Sequence, residues 1–407
     1  MWGQWLKSKW LKSTFVKAVL KRPKAIAWAS VQRVLVIRHR FIGDTVLLEP
    51  FLRALRHALP STAVIDVLVS KGSGELLEGH PAVDELVYFE SAKQVLPHLK
   101  AKSYDACFVL KRSWSSVLLA LKAGIPWRIG FDTEERGGLL THPIPYREGI
   151  HEAESFMDAL CVLTPSPLGR GTHNAHPTSC FPHPNLLPKG EGTNPNRAVS
   201  VGNWSYLTET NPLPEDWQAL IHRYKASGRR CVLWHAVASN PAKAWPTQAW
   251  HAFFDLLNNA QAELPPLAFF CIGSPAEKAY YQAFDAHFST QMPLHIACGE
   301  LSLAQGMSLL HQLDATFGID SGPLHMAGTA GHPILALFGP TDPQRWKPLS
   351  KASVQVLQAG LPCQPCQLKI TCEFEQRCLT HLSPEQVFDA FLRLLNDVDA
   401  REGGAHV

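Results

Sequence analysis

The sequence alternates short apolar runs with stretches of helical periodicity, and this alternation occurs in two separate parts of the chain. RVLVIR at 33–38 precedes residues 44–59, where Val46, Phe51 and Leu55 follow helical spacing. Similar apolar runs lie at 63–69, 86–90, 105–110 and 128–131 in the first part and at 231–237, 267–273, 294–299, 315–320 and 333–339 in the second. Strands alternating with helices predict an α/β protein with two doubly wound, mostly parallel sheets, that is, two Rossmann-like domains facing across a cleft.

The two parts are separated by a stretch without hydrophobic periodicity. Residues 164–211 are rich in Pro, Gly, Asn and His, which is typical of a flexible insertion or linker without a catalytic role. The predicted organisation is a basic N-terminal segment at 1–30, an N-terminal domain at 31–165, the insertion at 166–211, a C-terminal domain at 212–397 and a tail at 398–407.

Charge is distributed unevenly along the chain. Residues 1–43 contain ten Lys or Arg and no acidic residue, whereas the remaining residues carry 28 basic and 35 acidic side chains. The mildly acidic body argues against nucleic acid as a partner. The segment 1–30 mixes Trp with Lys, which favours attachment to an anionic membrane surface, although a merely solvated leader is the alternative. No signal peptide or spanning helix is recognisable there, so we expect a cytoplasmic protein, peripheral on the inner face of the cytoplasmic membrane.

The sequence Asp320-Ser321-Gly322-Pro323 follows a predicted strand and opens a predicted helix. Free amides at a helix start bind phosphate groups, and Gly322 would allow the backbone to approach them closely. An ordinary N-cap with Pro in the first turn has the same pattern. The stretch is therefore a candidate diphosphate site with a purely structural alternative.

A cysteine cluster follows the last predicted strand. Cys363, Cys366, Cys372 and Cys378 have the spacing C-x2-C-x5-C-x5-C, close enough for one tetrahedral thiolate site. A structural zinc site, reduced packing thiols and a redox pair are the three interpretations that this spacing allows.

Three longer stretches carry a family resemblance. RVLVIRHRFIGDTVLLEPFLRALRHALP, HAVASNPAKAWPTQAW and FGIDSGPLHMAGTAGHPILALFGPTDPQRW together resemble the heptosyltransferases of glycosyltransferase family 9, which transfer heptose from ADP-heptose to the lipopolysaccharide core. The resemblance covers most of residues 31–397 apart from the insertion. It implies the B-type glycosyltransferase fold, an ADP-sugar donor, a lipopolysaccharide-core or glycolipid acceptor, and an inverting reaction that needs no metal or other cofactor for catalysis.

The resemblance also implies roles for individual residues. Asp44, in the Gly43-Asp44 pair after the first strand, would be the general base, with a helix-capping role as the alternative. Lys243 would stabilise the ADP leaving group together with the helix-start amides. The candidate donor-binding residues are Gly43, Ser239, Lys243, Glu277, Asp320, Ser321, Gly322, Leu324 and His325, and the candidate acceptor-binding residue is Arg128. His325, Glu277 and Arg128 each have a structural alternative: a satisfied helix histidine, a helix-start glutamate and support of the RIGF strand.

One position departs from the family pattern. Where relatives often have His-Pro-Gly-Ala-Ser, this chain has Val237 in place of the glycine, which restricts the backbone beside the predicted nucleotide site. A non-catalytic nucleotide-sugar-binding protein of the same fold is therefore the alternative function. A dehydrogenase is disfavoured because HRFIGDTV after the first strand lacks the G-x-G-x-x-G motif.

Overall fold

A computed structural model describes residues 26–163, 199, 202–368, 372 and 377–404. The chain divides into two compact units. The first consists of Met1–Arg40, Pro50–Glu148 and Ala153–Ala198, and the second of Phe41–Glu49, Gly149–Glu152 and Val199–Val407. The short segments 41–49 and 149–152 thus belong to the second unit, although the sequence predicts them within the first domain.

The first unit contains a six-stranded parallel sheet with the order β3-β2-β1-β4-β5-β6. Its strands are β1 (Arg33–Ile37), β2 (Val64–Val69), β3 (Glu85–Tyr88), β4 (Ala106–Val109), β5 (Trp127–Phe131) and β6 (His142–Ile144). The central strands are apolar and buried because helices cover a parallel sheet on both faces. The strand order reverses between β1 and β4, where ligands of open α/β sheets bind.

The second unit repeats this topology with the order β12-β11-β10-β7-β8-β9. Its strands are β7 (Arg230–His235), β8 (Leu267–Cys271), β9 (Leu294–Ile296), β10 (Ala315–Ile319), β11 (Ile334–Leu337) and β12 (Val354–Leu357). The corresponding reversal lies between β7 and β10, which pair directly. The core of this unit is rich in aromatic rings, and the Trp234 indole packs edge-on against Trp250 and Phe254.

The α-helices alternate with the strands, as the periodicity predicts. In chain order they are α1 (Ile42–Ala58), α2 (Lys71–Gly74), α3 (Ala92–Lys102), α4 (Trp114–Lys122), α5 (Glu152–Asp158), α6 (Ser205–Thr210), α7 (Glu215–Ala226), α8 (Thr247–Asn259), α9 (Lys278–Gln282), α10 (Leu303–Leu310), α11 (Gly322–Ala330), α12 (Pro343–Trp346), α13 (Arg377–Thr380) and α14 (Pro384–Gly404). The first turns of helix α1, up to Glu49, belong to the second unit, whereas the rest of the helix belongs to the first.

Two predicted boundaries differ from the structure. Helix α6 lies inside the stretch 166–211, and its N-cap residue Trp204 and its own Leu207 are buried. Helix α14 continues into the predicted tail at 398–407, because Val398 packs in the core and Asp399 forms an ion pair with Arg230. The basic segment up to residue 25 and most of the predicted insertion lie outside the described residues.

Candidate functional site

The start of helix α11, a predicted phosphate site, lacks a side-chain cap. Ser321 occupies the N-cap position in an extended conformation, yet its hydroxyl makes no capping hydrogen bond. The Ser321 Oγ is buried and has no hydrogen-bond partner in the part of the chain that the structure describes. Buried hydroxyls are normally satisfied, so an unpaired one beside free helix-start amides is a donor available to a ligand.

The start of helix α1 packs directly against the start of helix α11 within the second unit. A Cβ atom at Gly43 would lie 2.6 Å from Cδ2 of His325, and one at Gly322 would lie 2.8 Å from Cβ of Ile42. Both glycines therefore permit the contact. Each helix start carries partial positive charge, and Asp44 and Asp320 place carboxylates at the same two helix starts.

Asp44 lies in the first turn of α1, one residue after the Gly43 contact. Its side chain is 8% exposed. The fold thus brings the predicted base next to the predicted phosphate-binding helix, although these elements are far apart in the sequence. A carboxylate in a first helical turn also interacts favourably with the helix dipole, so the capping alternative remains compatible with this position.

Lys243 lies in the loop after β7 and contacts Asp320, the residue that follows β10. It ends a single 3₁₀ turn, Pro241–Lys243, that follows β7. Its Nζ lies 2.7 Å from the Asp320 carboxylate, which also accepts a 2.6 Å hydrogen bond from the Thr341 hydroxyl. The ammonium group is therefore held at the carboxyl end of β10, beside Ser321, by a buried aspartate and a threonine that the sequence did not single out.

His325 is buried in the first turn and a half of α11. Burial lowers the pKa of its imidazole from 6.5 to about 4; the Asp320 carboxylate opposes this shift, and His151 and Lys243 reinforce it. Its Nδ1 has no hydrogen-bond partner among the described residues. His325 is thus a neutral imidazole at pH 7, with one ring nitrogen available for a hydrogen bond.

The other predicted donor-binding residues include Leu324, Ser239 and Glu277. Leu324 is buried and contributes its backbone to the α11 start, whereas Ser239 is exposed in the loop after β7. The Glu277 carboxylate accepts hydrogen bonds from the Ser274 amide and hydroxyl in a capping box. This contact favours the helix-start alternative for Glu277.

His235 lies at the end of β7, and its buried imidazole makes a contact that the sequence did not reveal. Its Nδ1 lies 3.3 Å from the Tyr281 hydroxyl, which also accepts a hydrogen bond from the Ala236 amide. Beside it, a Cβ atom at Gly318 would lie 2.1 Å from the His235 carbonyl oxygen, so only glycine allows β7 and β10 to approach at this point. These contacts fix the start of the loop that leads to Lys243.

Arg128, in the first unit, is occupied by structural contacts. Its guanidinium donates to the carbonyl oxygens of Leu139, Ile125 and Pro126. Burial lowers the pKa of this group. The contacts favour the alternative in which Arg128 supports its strand.

A different group of basic residues follows the strands at the reversal point of the first sheet. Arg38, His39 and Arg40 follow β1, while Lys111 and Arg112 follow β4. Burial, together with the charges of Lys111, Arg40 and Arg38, lowers the pKa of His39 to about 4. Lys111 Nζ lies within 3.5 Å of both ring nitrogens of His39. Arg38, Arg40 and Lys111 thus lie around a neutral His39 where an α/β sheet binds its ligand.

Comparison with known proteins shows which family the chain resembles. The family model for glycosyltransferase family 9 (heptosyltransferase) matches residues 204–377. The chain is 25% identical over 382 residues to lipopolysaccharide heptosyltransferase 2 of Escherichia coli K12, and the alignment covers 90% of this chain and 100% of that protein. The chain is thus similar to the heptosyltransferases of glycosyltransferase family 9. It is therefore an enzyme, a glycosyltransferase, and this outweighs the alternative of a purely nucleotide-sugar-binding protein.

Solved structures confirm the predicted fold. The E. coli ADP-heptose LPS heptosyltransferase II superimposes with a TM-score of 0.63 at 24% identity, covering 90% of this chain and 100% of that one. A family 9 glycosyltransferase from Veillonella parvula DSM 2008 superimposes with a TM-score of 0.65 at 19% identity, covering 92% and 100%. The two six-stranded sheets are those of the B-type glycosyltransferase fold.

None of the helices in the described residues is long and apolar enough to cross a membrane. In the same residues, no group of three or more His, Cys, Asp or Glu side chains is arranged to hold a metal ion.

Proposed function

We propose that this enzyme transfers a heptose, with inversion and without a catalytic metal ion, from ADP-heptose to a lipopolysaccharide core or a related glycolipid. The observation that carries the proposal is the buried, uncapped Ser321 hydroxyl at the α11 start, beside Lys243 and opposite the α1 start. The substrate classes are those in the descriptions of its relatives, lipopolysaccharide heptosyltransferase 2 and ADP-heptose LPS heptosyltransferase II.

The diphosphate of the donor would bind at the α11 start. The amides of Gly322 and Leu324 and the Ser321 hydroxyl can donate to phosphate oxygens, while Pro323 has no N–H to contribute. Lys243 would exchange part of its contact with Asp320 for a contact with the phosphates. As the bond to the anomeric carbon breaks, ADP gains negative charge, and these fixed positive groups stabilise it where a metal ion would otherwise be needed.

Asp44 would act as the general base on the acceptor. The acceptor hydroxyl oxygen forms a bond to the anomeric carbon as its proton passes to the Asp44 carboxylate. The electron pair of the breaking bond leaves with ADP on the opposite face, which inverts the anomeric configuration. The position of Asp44, one residue from the contact between α1 and the α11 helix, supports this assignment because the base must lie near the donor sugar.

His325 would act as a neutral hydrogen-bonding group for the donor. A protonated imidazole would add positive charge, but burial keeps the pKa near 4, so the ring is uncharged at physiological pH. Its Nδ1 can then donate to or accept from a sugar hydroxyl, depending on the tautomer.

The acceptor would be anionic. Arg38, Arg40 and Lys111 lie around His39 at the reversal point of the first sheet, where phosphate or carboxylate groups would bind favourably to their charges. This group replaces Arg128 as the acceptor-binding candidate. The basic, Trp-containing segment 1–30 would place the enzyme on the inner face of the cytoplasmic membrane, where a lipid-linked acceptor is accessible.

The proposal is tested by supplying ADP-heptose with a heptose-deficient lipopolysaccharide core in buffer containing a chelator. We expect release of ADP together with an acceptor product whose new linkage has the opposite anomeric configuration to that of the donor. Retention of configuration would contradict the inverting mechanism. Activity only with a different nucleotide sugar would contradict ADP-heptose as the donor.

A further inference from the structure

Phe41, the residue just before helix α1, is the most exposed large apolar side chain among the residues that the structure describes. It is 62% exposed, against 40% for Tyr88 and 39% for Leu368. Single exposed apolar residues are common on protein surfaces, so exposure alone needs no functional explanation. Phe41, however, combines this exposure with a strained backbone and a position beside the proposed base.

The backbone at Phe41 is unfavourable for a phenylalanine. Arg40 and Phe41 have φ angles of 122° and 30°, which bulky non-glycine residues rarely adopt. The position that precedes a helix also favours Ser, Thr, Asp, Asn or Gly. Because the ring is exposed as well, neither local conformation nor burial explains a phenylalanine here. Strained backbone of this kind persists where the surrounding structure enforces it, and it is concentrated at active sites.

Two neighbours fix the backbone of Phe41. Its carbonyl oxygen accepts hydrogen bonds from the Thr45 amide at 3.3 Å and from the Thr45 hydroxyl at 3.2 Å, and Thr45 is fully buried. The next residue, Ile42, packs so closely against the start of α11 that a Cβ atom at Gly322 would lie 2.8 Å from the Ile42 Cβ. These contacts hold the backbone in place and leave the aromatic ring in solvent.

The ring lies one helical turn before the proposed base. Asp44 follows Phe41 by three residues, and side chains three residues apart at a helix start are neighbours on one face. A general base must approach the acceptor hydroxyl to within about 2.6–3.2 Å, so the sugar that carries this hydroxyl extends over the groups next to Asp44. Ile42 packs against the proposed phosphate-binding helix, whereas Phe41 adjoins Arg40, a proposed acceptor-binding residue.

We infer that the Phe41 ring is a stacking platform for the acceptor sugar. Its face would pack against the C–H groups of the sugar ring whose hydroxyl donates to Asp44. Those C–H groups are weakly positive and the face of an aromatic ring is negative, so the two surfaces attract each other. The contact also removes exposed apolar surface from water. This inference rests on the proposed function and adds to it a residue that orients the acceptor without charge.

The test separates acceptor binding from donor binding and from stability. Binding of a lipid-free, heptose-deficient core oligosaccharide would be measured by calorimetry, and KM and kcat for the acceptor by ADP release. Phe41→Leu keeps an apolar side chain but removes the ring. We expect it to weaken oligosaccharide binding and raise the acceptor KM by about 2- to 10-fold. Its kcat should be nearly unchanged, because stacking acts alike on the bound acceptor and on the transition state.

Two further variants serve as controls. Phe41→Trp retains an aromatic face and should bind the oligosaccharide as tightly as wild type. Leu368→Ala alters another exposed apolar residue with a left-handed φ angle, 60°, and should not affect acceptor binding. ADP affinity and Tm should stay at the wild-type values in Phe41→Leu and Phe41→Trp, since the ring is exposed.

Four results would overturn the inference. The first is wild-type affinity of Phe41→Leu for the oligosaccharide. The second is normal oligosaccharide binding with weaker binding to vesicles of phosphatidylglycerol and phosphatidylethanolamine, which would assign the ring to a membrane surface. The third is weaker binding of ADP-heptose in place of the acceptor. The fourth is a lower Tm of Phe41→Leu without rescue of binding by Phe41→Trp, which would show a structural role.

Failure of the proposed function gives a different result. In that case the wild-type chain neither binds the core oligosaccharide nor releases ADP with it, and the assignment of Phe41 fails together with the reaction. Wild-type activity that all Phe41 variants share would contradict the stacking platform alone.

Discussion

Gly43 and His325 approach so closely that a Cβ atom at position 43 would lie 2.6 Å from Cδ2 of the imidazole. This contact joins the helix that carries Asp44 to the helix whose start is the proposed diphosphate site. Because the ring is buried, it has little room to move away from an added methyl group.

Replacement of Gly43 by Ala should therefore lower turnover. The added Cβ atom must displace either the His325 ring or the start of α1, and a shift of about 1 Å near reacting groups can reduce the rate up to about a hundredfold. Gly72→Ala is the matched control, because a Cβ atom at that helical glycine would meet no atom within 4 Å. Steady-state ADP release by both variants measures the turnover on which this prediction depends. Equal rates for Gly43→Ala and wild type would show that this contact does not position the site.

Asp44→Asn should abolish most of the activity and leave ADP binding nearly unchanged. The amide cannot accept the acceptor proton, and loss of a general base typically reduces the rate about 10²- to 10⁴-fold. Asp216→Asn is the control, since Asp216 is also an acidic residue in a first helical turn, that of α7, but is exposed. Turnover would be measured as ADP release and binding by calorimetry. If both variants retain near wild-type turnover, Asp44 only caps its helix.

Stability should fall as the pH is lowered through the acidic range, and His325 should contribute to the fall. The pKa of His325 is about 4 in the folded protein, against 6.5 for the unperturbed group. Between these values the unfolded chain binds the proton and the folded protein does not, so the free energy of unfolding rises with pH by up to about 1.4 kcal/mol per unit. His39 and His332 act in the same direction, with pKa values of about 4 and about 3.

The measurement is urea unfolding of wild type and His325→Gln at several pH values from 4 to 7. The glutamine cannot titrate, so its curve should have a smaller slope over that range, whatever its absolute stability. Parallel curves for the two proteins would show that His325 is already protonated, or equally accessible to protons, in the folded state.

Lys243→Ala and Gly322→Val should both weaken ADP binding, with different responses to salt. Lys243 acts through charge, so its contribution should shrink as the Debye length falls from about 30 Å at 0.01 M to about 8 Å at 0.15 M. A side chain at Gly322 acts sterically, because its Cβ would lie 2.8 Å from that of Ile42, and its effect should not depend on salt. Lys278→Ala, which removes an exposed lysine paired with Glu300, is the control. Equal salt responses of the first two variants would contradict the assignment of Lys243 as a phosphate contact.

Much of the fold follows from the sequence, because buried parallel strands are continuous apolar runs. Ten of the strands coincide with such runs. The two that the sequence did not predict, β6 and β12, lie at the edges of their sheets and are only partly buried, so they lack the uninterrupted apolar pattern. Their positions depend on pairing with a neighbour, which a local pattern does not report.

The sequence predicts a site residue where a motif contains that residue. It does not predict one whose role depends on a contact with a segment remote in the chain. The sequence indicated Ser321, Gly322 and Lys243 from the helix start and the family motif. It did not reveal the approach of Gly43 to His325 or the Thr341 hydrogen bond to Asp320, because both join segments remote in the chain. Likewise, the contacts that occupy Arg128 and Glu277 depend on local backbone geometry that residue type alone does not fix.

The most direct test of the diphosphate site compares two helix-start serines. Ser302 caps α10 by accepting a hydrogen bond from the Gln305 amide, whereas the Ser321 hydroxyl caps nothing. Ser302→Ala should therefore reduce the free energy of unfolding by about 1 kcal/mol and leave ADP affinity unchanged. Ser321→Ala should not reduce stability, since it removes a buried hydroxyl without a partner, but it should weaken ADP binding measured by calorimetric titration. If Ser321→Ala instead loses stability like a cap and binds ADP as tightly as wild type, the start of α11 is an ordinary helix cap and the proposed donor site is wrong.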